Sequence, residues 1–139
     1  KELRGTEDPI AGQTRVVFFP KGKNYVLKIA VNDSGKRANK IESYITSKFQ
    51  SAPDLMDWIC PTLEMIGNSN VINKQVKVAS SGNKFSDDVT DALVDDFNQA
   101  IYDAGHNFSV YDLHSGNMIE STVSKHGVKI FDYGAIRIR

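Results

Sequence analysis

Residues 112–117 are Asp-Leu-His-Ser-Gly-Asn, and residues 131–134 are Phe-Asp-Tyr-Gly. Asp112 and Asn117 are five residues apart, and Asp132 follows Asn117 by fifteen. Asp and Asn also favour turns, because their side chains hydrogen-bond to the local backbone. Asp132, however, is predicted to share a strand face with Val128 and Ile130. A carboxylate on a buried strand face requires a metal ion, a cation or several donors. The spacing therefore indicates a functional site rather than a set of turns.

The composition of the chain excludes several classes of function. Its 139 residues suffice for one domain with its own core. Seventeen basic and seventeen acidic residues give no net charge, so nucleic acid and anionic membranes are not expected partners. No apolar run approaches the roughly 20 residues of a membrane span, and no signal-peptide pattern is present. The lone Cys60 cannot form an intrachain disulfide, which predicts a reducing cytoplasm.

The first part of the chain is predicted to form a β-rich unit with helices. Residues 14–19 and 25–30 are rich in β-branched and aromatic residues and flank turn-forming residues 20–24, which predicts a hairpin. Apolar residues at spacings of three and four predict an amphipathic helix over 34–50. Further elements are predicted as a short helix over 53–60 and strands over 63–66 and 71–79.

The second part is predicted to begin with a longer helix. An apolar stripe is formed by Leu93, Phe97, Ala100, Ile101 and Ala104. Asp87 and Asp88 suit the first turn of this helix, and Gly105 suits its end. A loop containing Asp112 follows, and then a strand over 128–131.

The order of elements predicts an α+β fold in two units. Ser80-Ser81-Gly82-Asn83 has the composition of a linker. We therefore expect one domain over 1–80, with a sheet and helix, and one over 81–139, with a helix, a loop and a strand.

Lys28 and Glu42 form a second candidate constellation. Lys28 lies in a strand that is apolar on both faces, where a buried ammonium needs a partner. Glu42 lies fourteen residues later, beside the apolar stripe of the predicted helix. The alternatives are a lysine that reaches solvent at a sheet edge and a glutamate on a solvated helix face.

These motifs together resemble the eukaryotic-like protein kinase fold, and in particular the small Ser/Thr protein kinases encoded by tailed bacteriophages. The Asp-x-His-Ser-Gly-Asn form is typical of that phage group. The chain is also similar to aminoglycoside and choline phosphotransferases, which share Asp-x-His-x-x-Asn. The resemblance is carried by residues 12–18, 26–30, 111–119 and 131–134, as motifs rather than as continuous similarity.

The resemblance implies a small β-rich lobe with one helix, followed by a reduced helical lobe with the catalytic loop. It implies ATP and Mg²⁺ as cofactors. Lys28 would contact the ATP phosphates in catalysis, and Glu42 would orient Lys28. Asp112 would be the catalytic base, and Asn117 and Asp132 would bind magnesium.

Three features of the chain either differ from the common kinase pattern or support the catalytic loop without taking part in catalysis. Gly12 would cover the phosphates at the first hairpin, although no full Gly-x-Gly-x-x-Gly is present. Val110-Tyr111 replaces the His-Arg that precedes the catalytic Asp in many kinases, so switching through a phosphorylated activation loop is not expected. His114 is predicted to support the loop by hydrogen bonding.

Seven residues follow Asp132, so we expect a fragment, a reduced kinase or a kinase fold that only binds. The first interpretation is a minimal phage-type kinase that phosphorylates Ser or Thr of a host protein in the host cytoplasm. The second is a pseudokinase or truncated kinase domain that docks on a host or phage protein. The third is a small-molecule phosphotransferase.

The C-terminal residues 135–139 alternate between apolar and basic side chains. This pattern suits a strand edge or a docking tail. We expect the tail to pack against a second copy or a target protein, the alternative being a frayed terminus.

Overall fold

A five-stranded antiparallel sheet is formed by the first part of the chain. The computed structural model describes residues 6–11, 13–78 and 83–139. The strands are β1 (Thr6–Ala11), β2 (Arg15–Pro20), β3 (Tyr25–Ala30), β4 (Thr62–Ile66) and β5 (Ile72–Val76). Their order is β1-β2-β3-β5-β4, so β3 is central. Lys28 on β3 is opposite Val17 on β2 and Asn73 on β5, which places it in the middle of the sheet.

Helix α1 (Asp33–Lys48) packs against this sheet and confirms the predicted amphipathic helix. The side chain of Asn32 caps it by accepting a hydrogen bond from Gly35 N at 3.0 Å. Asn39 is buried on the sheet-facing side, and its Nδ2 donates to the carbonyl oxygens of Asn70 and Val71 at 2.9 and 3.1 Å. These bonds fix α1 relative to the β4–β5 connection.

The hairpin prediction is confirmed by β2 and β3, but two other boundaries were wrong. The helix expected over 53–60 ends early, as α2 (Pro53–Met56). Trp58 O and Cys60 N instead hydrogen-bond to the backbone of Ile130 at 2.8 and 2.9 Å. Pairing with a neighbouring strand thus replaces helical hydrogen bonding there. The strand expected over 71–79 is β5 and ends at Val76.

The second part of the chain combines one long helix with two small sheets. Helix α3 (Asp87–Asp103) is capped by the Ser86 side chain, and Asp87 and Asp88 lie in its first turn as predicted. Four short strands follow: β6 (Phe108–Val110), β7 (Met118–Glu120), β8 (Val128–Ile130) and β9 (Ile136–Ile138). Strand β6 pairs with β9, and β7 pairs with β8, both antiparallel. The fold is therefore α+β, as the order of elements predicted.

One apolar core extends through both parts of the chain. Phe49 at the end of α1 stacks on Phe108 and meets Phe97 of α3 edge to face. The other buried members include Ile45, Leu55, Trp58, Ile59, Ile101, Val110, Met118, Val128, Ile130 and Tyr133. The core joins the two predicted domains, whose boundary near residue 80 lies outside the described residues.

The C-terminal residues pack on their own chain. Strand β9 pairs with β6, and Arg139 N donates to Asn107 O at 2.7 Å. The Arg137 guanidinium lies 4.6 Å from the centre of the Tyr111 ring. The tail is thus an ordered strand rather than a frayed end, and its contact with another chain stays a prediction. No helix in the described segments is long and apolar enough to cross a bilayer.

Phe49→Ala tests whether this core holds the two parts together. Phe49 is fully buried and contacts both α3 and β6. We expect the substitution to lower the free energy of unfolding by about 3–5 kcal/mol, measured by urea denaturation. Val123→Ala, at a side chain that is 72% exposed, should change it by less than about 0.5 kcal/mol. Equal effects of the two substitutions would contradict this description of the core.

Candidate active site

A buried carboxylate lies where the sheet, α1 and the segment after β8 meet. Glu42 on α1 is fully buried. It accepts hydrogen bonds from Lys28 Nζ at 3.1 and 3.2 Å, and from the Arg15 guanidinium at 2.7 and 3.0 Å. The structure thus brings the predicted pair Lys28 and Glu42 together, and Glu42 is not on a solvated face.

Two uncharged donors complete the surroundings of Glu42. Asn73 Nδ2 donates at 2.9 Å and the backbone N of Tyr133 at 3.0 Å. Burial alone would raise the pKa of Glu42, but Lys28, Arg15 and their hydrogen bonds outweigh burial and hold this pKa below its ordinary value. Glu42 is therefore ionised at neutral pH, and it links α1 to β2, β3, β5 and the segment after β8.

Lys28 is buried, and its hydrogen bonds in the described part of the chain go to a carboxylate and a carbonyl oxygen. Its side chain is 3% exposed, and besides Glu42 its Nζ donates to the carbonyl oxygen of Phe131. Burial lowers the pKa of Lys28, Glu42 opposes that shift, and the neighbouring Arg15 adds to it. A lysine stem without partners samples many rotamers. The hydrogen bonds to Glu42 and Phe131 hold the Lys28 ammonium in one position.

Arg15 links Glu42 to Asp132, a role that the sequence analysis missed. Nη2 of this buried guanidinium donates to Asp132 Oδ1 at 2.6 Å, and Nη1 donates to Asn39 Oδ1 at 3.0 Å. Burial opposes its charge, but Glu42 and Asp132 raise the pKa of Arg15. The available signal was position. Successive side chains of a strand point to opposite faces, so Arg15, Val17 and Phe19 share one face of β2, and all three line one cavity.

The two predicted metal-binding residues lie next to each other. Backbone N–H groups of Phe131 and Asp132 donate to Asn117 O at 2.9 and 3.4 Å. The prediction that Asp132 shares a buried strand face was wrong: β8 ends at Ile130, and beyond it the Asp132 side chain is 46% exposed and lines the cavity, whereas Val128 and Ile130 are buried. The Asp132 carboxylate pairs with a cation, one of the partners that the sequence analysis required, and that cation is the Arg15 guanidinium.

The loop before Asn117 is held by its own hydrogen bonds. His114 Nδ1 accepts from Gly116 N at 3.1 Å, while Asn117 Oδ1 accepts from His114 N at 2.8 Å. The loop closes into a 3-10 turn over Ser115–Asn117. The predicted supporting role of His114 is thereby confirmed, and the side chain of Asn117 is oriented.

Asp112 lies in the exposed part of the same loop. Its φ of 59° is in the left-handed region, which Asp tolerates better than most residues. The next residue back, Tyr111, donates its backbone N–H to Ala135 O at 3.1 Å. The loop with Asp112 is therefore tied to the segment that follows Asp132.

Gly134 lets this segment approach α1 closely. A Cβ atom at Gly134 would lie 2.7 Å from Ala38 Cβ and 2.9 Å from Ala38 Cα, closer than packed carbon atoms allow. The absence of a side chain at Gly134 therefore allows Tyr133 N to reach Glu42.

A cavity of about 450 Å³ opens beside these groups. Its charged lining comes from Arg15, Lys28, Lys77 and Asp132, and its apolar lining includes Val17, Phe19, Val26, Cys60, Ile119 and Phe131. Burial raises the pKa of the Cys60 thiol to about 11, which leaves it unreactive at neutral pH. A cavity of this size and mixed lining suits a small ligand with an apolar part and an anionic part.

Asp132 lines the cavity and could hold a magnesium ion that is bound together with phosphate, whereas Asn117 is buried and is not among the lining residues. Within the described segments, no three His, Cys, Asp or Glu side chains are grouped as metal ligands. Magnesium in phosphate-transfer sites commonly takes one or two carboxylates, with phosphate oxygens and water completing six ligands. Asn117 Oδ1 keeps a second lone pair beyond its bond from His114 N, and this is the atom that the predicted metal role would use.

Comparison with known proteins adds no family to these observations. The sequence matches no protein-family model, and no curated protein matches it significantly. The functional assignment therefore depends on the geometry of the site.

Most of the predicted site residues fall into one neighbourhood, and two predictions cannot be placed. Lys28, Glu42, Asn117 and Asp132 are connected by the hydrogen bonds given above, and Asp112 lies on the adjoining loop. Gly12 and the linker residues Ser80–Gly82 lie outside the described residues. Asn39 and Asn73 were also missed, since an isolated asparagine in a helix or a strand has no pattern that marks it as buried.

Glu42→Gln tests whether the carboxylate organises the site. The substitution leaves Lys28 and Arg15 buried without their shared anion, so we expect a loss of about 3–5 kcal/mol in the free energy of unfolding at pH 7. Glu64→Gln removes an exposed carboxylate that lies 3.6 Å from Lys74, and should cost less than about 1 kcal/mol. Comparable losses would show that Glu42 is not special.

The difference in the free energy of unfolding between wild type and Glu42→Gln should also depend on pH. Because the pKa of Glu42 is lowered in the folded state, its stabilisation is fully present above the unfolded pKa of about 4.3. It is lost as the pH falls through the lower folded value. The stability difference between wild type and Glu42→Gln should therefore be constant from about pH 5 to pH 7 and shrink below about pH 4. A difference that grows on acidification would contradict the assignment.

Proposed function

We propose that this chain is a phosphotransferase with a protein kinase-like fold, which binds Mg-ATP in the cavity and phosphorylates Ser or Thr of a protein. The observation that carries the proposal is the buried Lys28–Glu42 pair, whose lysine lines a cavity that Asp132 also lines. Active protein kinases require a strand lysine paired with a helix glutamate, and a metal-binding aspartate nearby.

The order of elements supports the kinase-like assignment. The lysine lies on the third strand of an antiparallel sheet, and the glutamate on the helix that follows it. After two more strands and α3 comes a loop with Asp and Asn five residues apart, and then a strand that ends next to Asp132. Kinase motifs occur in the same order.

The charged residues divide the work of binding the nucleotide. Mg-ATP supplies the phosphoryl group, with the metal offsetting part of its charge. Lys28 would donate to phosphate oxygens while Glu42 keeps its ammonium in place. Asp132 and Asn117 would hold the magnesium ion.

Asp112 would receive the proton of the acceptor. As the acceptor oxygen forms its bond to the γ-phosphorus, the bond from that phosphorus to the β–γ bridging oxygen breaks. The hydroxyl proton passes to the Asp112 carboxylate, and ADP leaves. The exposure of Asp112 suits a hydroxyl on a macromolecule, which approaches from solvent.

A second candidate function is nucleotide-dependent docking without phosphate transfer. The observation that favours it is the ion pair between Arg15 and Asp132, which occupies a carboxylate oxygen that the metal would need. Such a module would bind nucleotide through Lys28 and act through a protein partner. A small-molecule acceptor has no comparable observation in its favour.

Asp112→Asn tests the proposed transfer. Asn tolerates the left-handed backbone at this position, so the fold should be kept. We expect transfer of radiolabelled γ-phosphate to casein, or to the chain itself, to fall by about 10²–10⁴-fold. The thermal stabilisation by Mg-ATP should be unchanged, since Asp112 does not line the cavity.

Asp91→Asn is the matched control, because Asp91 is an exposed carboxylate on α3, remote in sequence from the site. It should keep full transfer activity. Transfer that survives Asp112→Asn would remove this residue from the mechanism. Stabilisation by Mg-ATP without any transfer by the wild-type chain would favour the docking function.

A further inference from the structure

Arg15 makes hydrogen bonds beyond those to Glu42. Without Arg15, the Glu42 carboxylate would still accept from Lys28, Asn73 and the Tyr133 backbone. Its additional bond is the one to Asp132 at 2.6 Å. A buried arginine is thus directed at the carboxylate that the proposed function assigns to the metal.

The geometry allows the bond to Asp132 to break by itself. Nη1 donates to Glu42 and Asn39, and Nη2 donates to Glu42 and Asp132. Three of the four bonds therefore hold the guanidinium on α1. The fourth partner, Asp132, is the half-exposed one, and it can turn away without displacing Arg15.

A divalent cation and the guanidinium have conflicting requirements at Asp132. Both need a carboxylate oxygen at short distance, and two positive charges a few ångströms apart repel each other, the more so because the guanidinium is buried. Phosphate groups in the cavity would relieve the conflict, because they offer Nη2 another anionic acceptor.

We propose that Arg15 holds Asp132 when the cavity is empty, and that metal ions bind Asp132 in competition with Arg15. Phosphate in the cavity then accepts the released Nη2 bond, so that metal and nucleotide bind cooperatively. Arg15 is a positioning residue in this scheme, and it makes Asp132 a poor site for a metal ion alone. The inference rests on the proposed function and adds a regulation of the same site.

Arg15→Gln tests this competition by removing the charge while keeping a donor for Glu42. The measurement is a titration of the full chain with Mn²⁺ alone, followed by electron paramagnetic resonance, and then with Mn²⁺ in the presence of ADP. We expect Arg15→Gln to bind Mn²⁺ alone about fivefold or more tightly than wild type. We also expect ADP to strengthen Mn²⁺ binding less in the variant than in wild type.

Two variants serve as controls. Arg37→Gln removes an exposed arginine from α1 and should leave the Mn²⁺ affinity as in wild type, which excludes a general effect of net charge. Asp132→Asn should remove the Mn²⁺ site in either background. An unchanged Mn²⁺ affinity in Arg15→Gln, with binding lost in Asp132→Asn, would overturn the inference.

Wild-type protein provides a second test if Arg15→Gln does not fold. The ¹⁵N and ¹H NMR signals of the Arg15 side chain should shift when Mg²⁺ and ADP are added together, and much less with Mg²⁺ alone. Bound Mg-ADP without a change in these signals would overturn the inference and leave the proposed function intact. Absence of any binding of Mg-ADP or Mg-ATP would overturn both.

Discussion

The ionised Glu42 carboxylate must be satisfied away from water, and most of the architecture follows from that requirement. A buried charge is tolerated only with opposite charges and hydrogen-bond donors around it. Glu42 obtains them from β2, β3, β5 and the segment after β8. Each donor comes from a different part of the chain, so these bonds tie the sheet, α1 and the C-terminal segment together at Glu42. The cavity is the space left beside this junction.

Differences in burial give three carboxylates different tasks. Glu42 is fully enclosed, so its oxygens are committed to the protein. Asp132 has one protein partner and faces the cavity, and it can exchange that partner for a ligand. Asp112 is exposed on a loop and can meet an acceptor from solvent. The same functional group thus serves as an internal counter-ion, a metal ligand and a proton acceptor in the proposed scheme.

Local sequence patterns predicted two kinds of element: strands that pair with the next strand in sequence, and helices that carry a long apolar stripe. The β2–β3 hairpin and helices α1 and α3 follow from turn residues and apolar spacing. Lys28 was predicted to need a partner because its strand is otherwise apolar. The bonds of Arg15 to residues 42 and 132 were not predictable, since its strand position indicates the face on which it lies but not partners that are 27 and 117 residues away. Strands β6 and β9 are three residues each and exist through pairing across the chain. The helix predicted over 53–60 was too long for the same reason. Backbone pairing with Ile130 replaces helical hydrogen bonding near Trp58.

The most direct measurement of the central claim is a crystal structure of the chain grown with Mg²⁺ and a non-hydrolysable ATP analogue. We expect the triphosphate beside Lys28, the metal on Asp132 and Asn117, and Glu42 still bonded to Lys28. A nucleotide bound elsewhere on the surface, or a cavity that stays empty at saturating ligand, would contradict it.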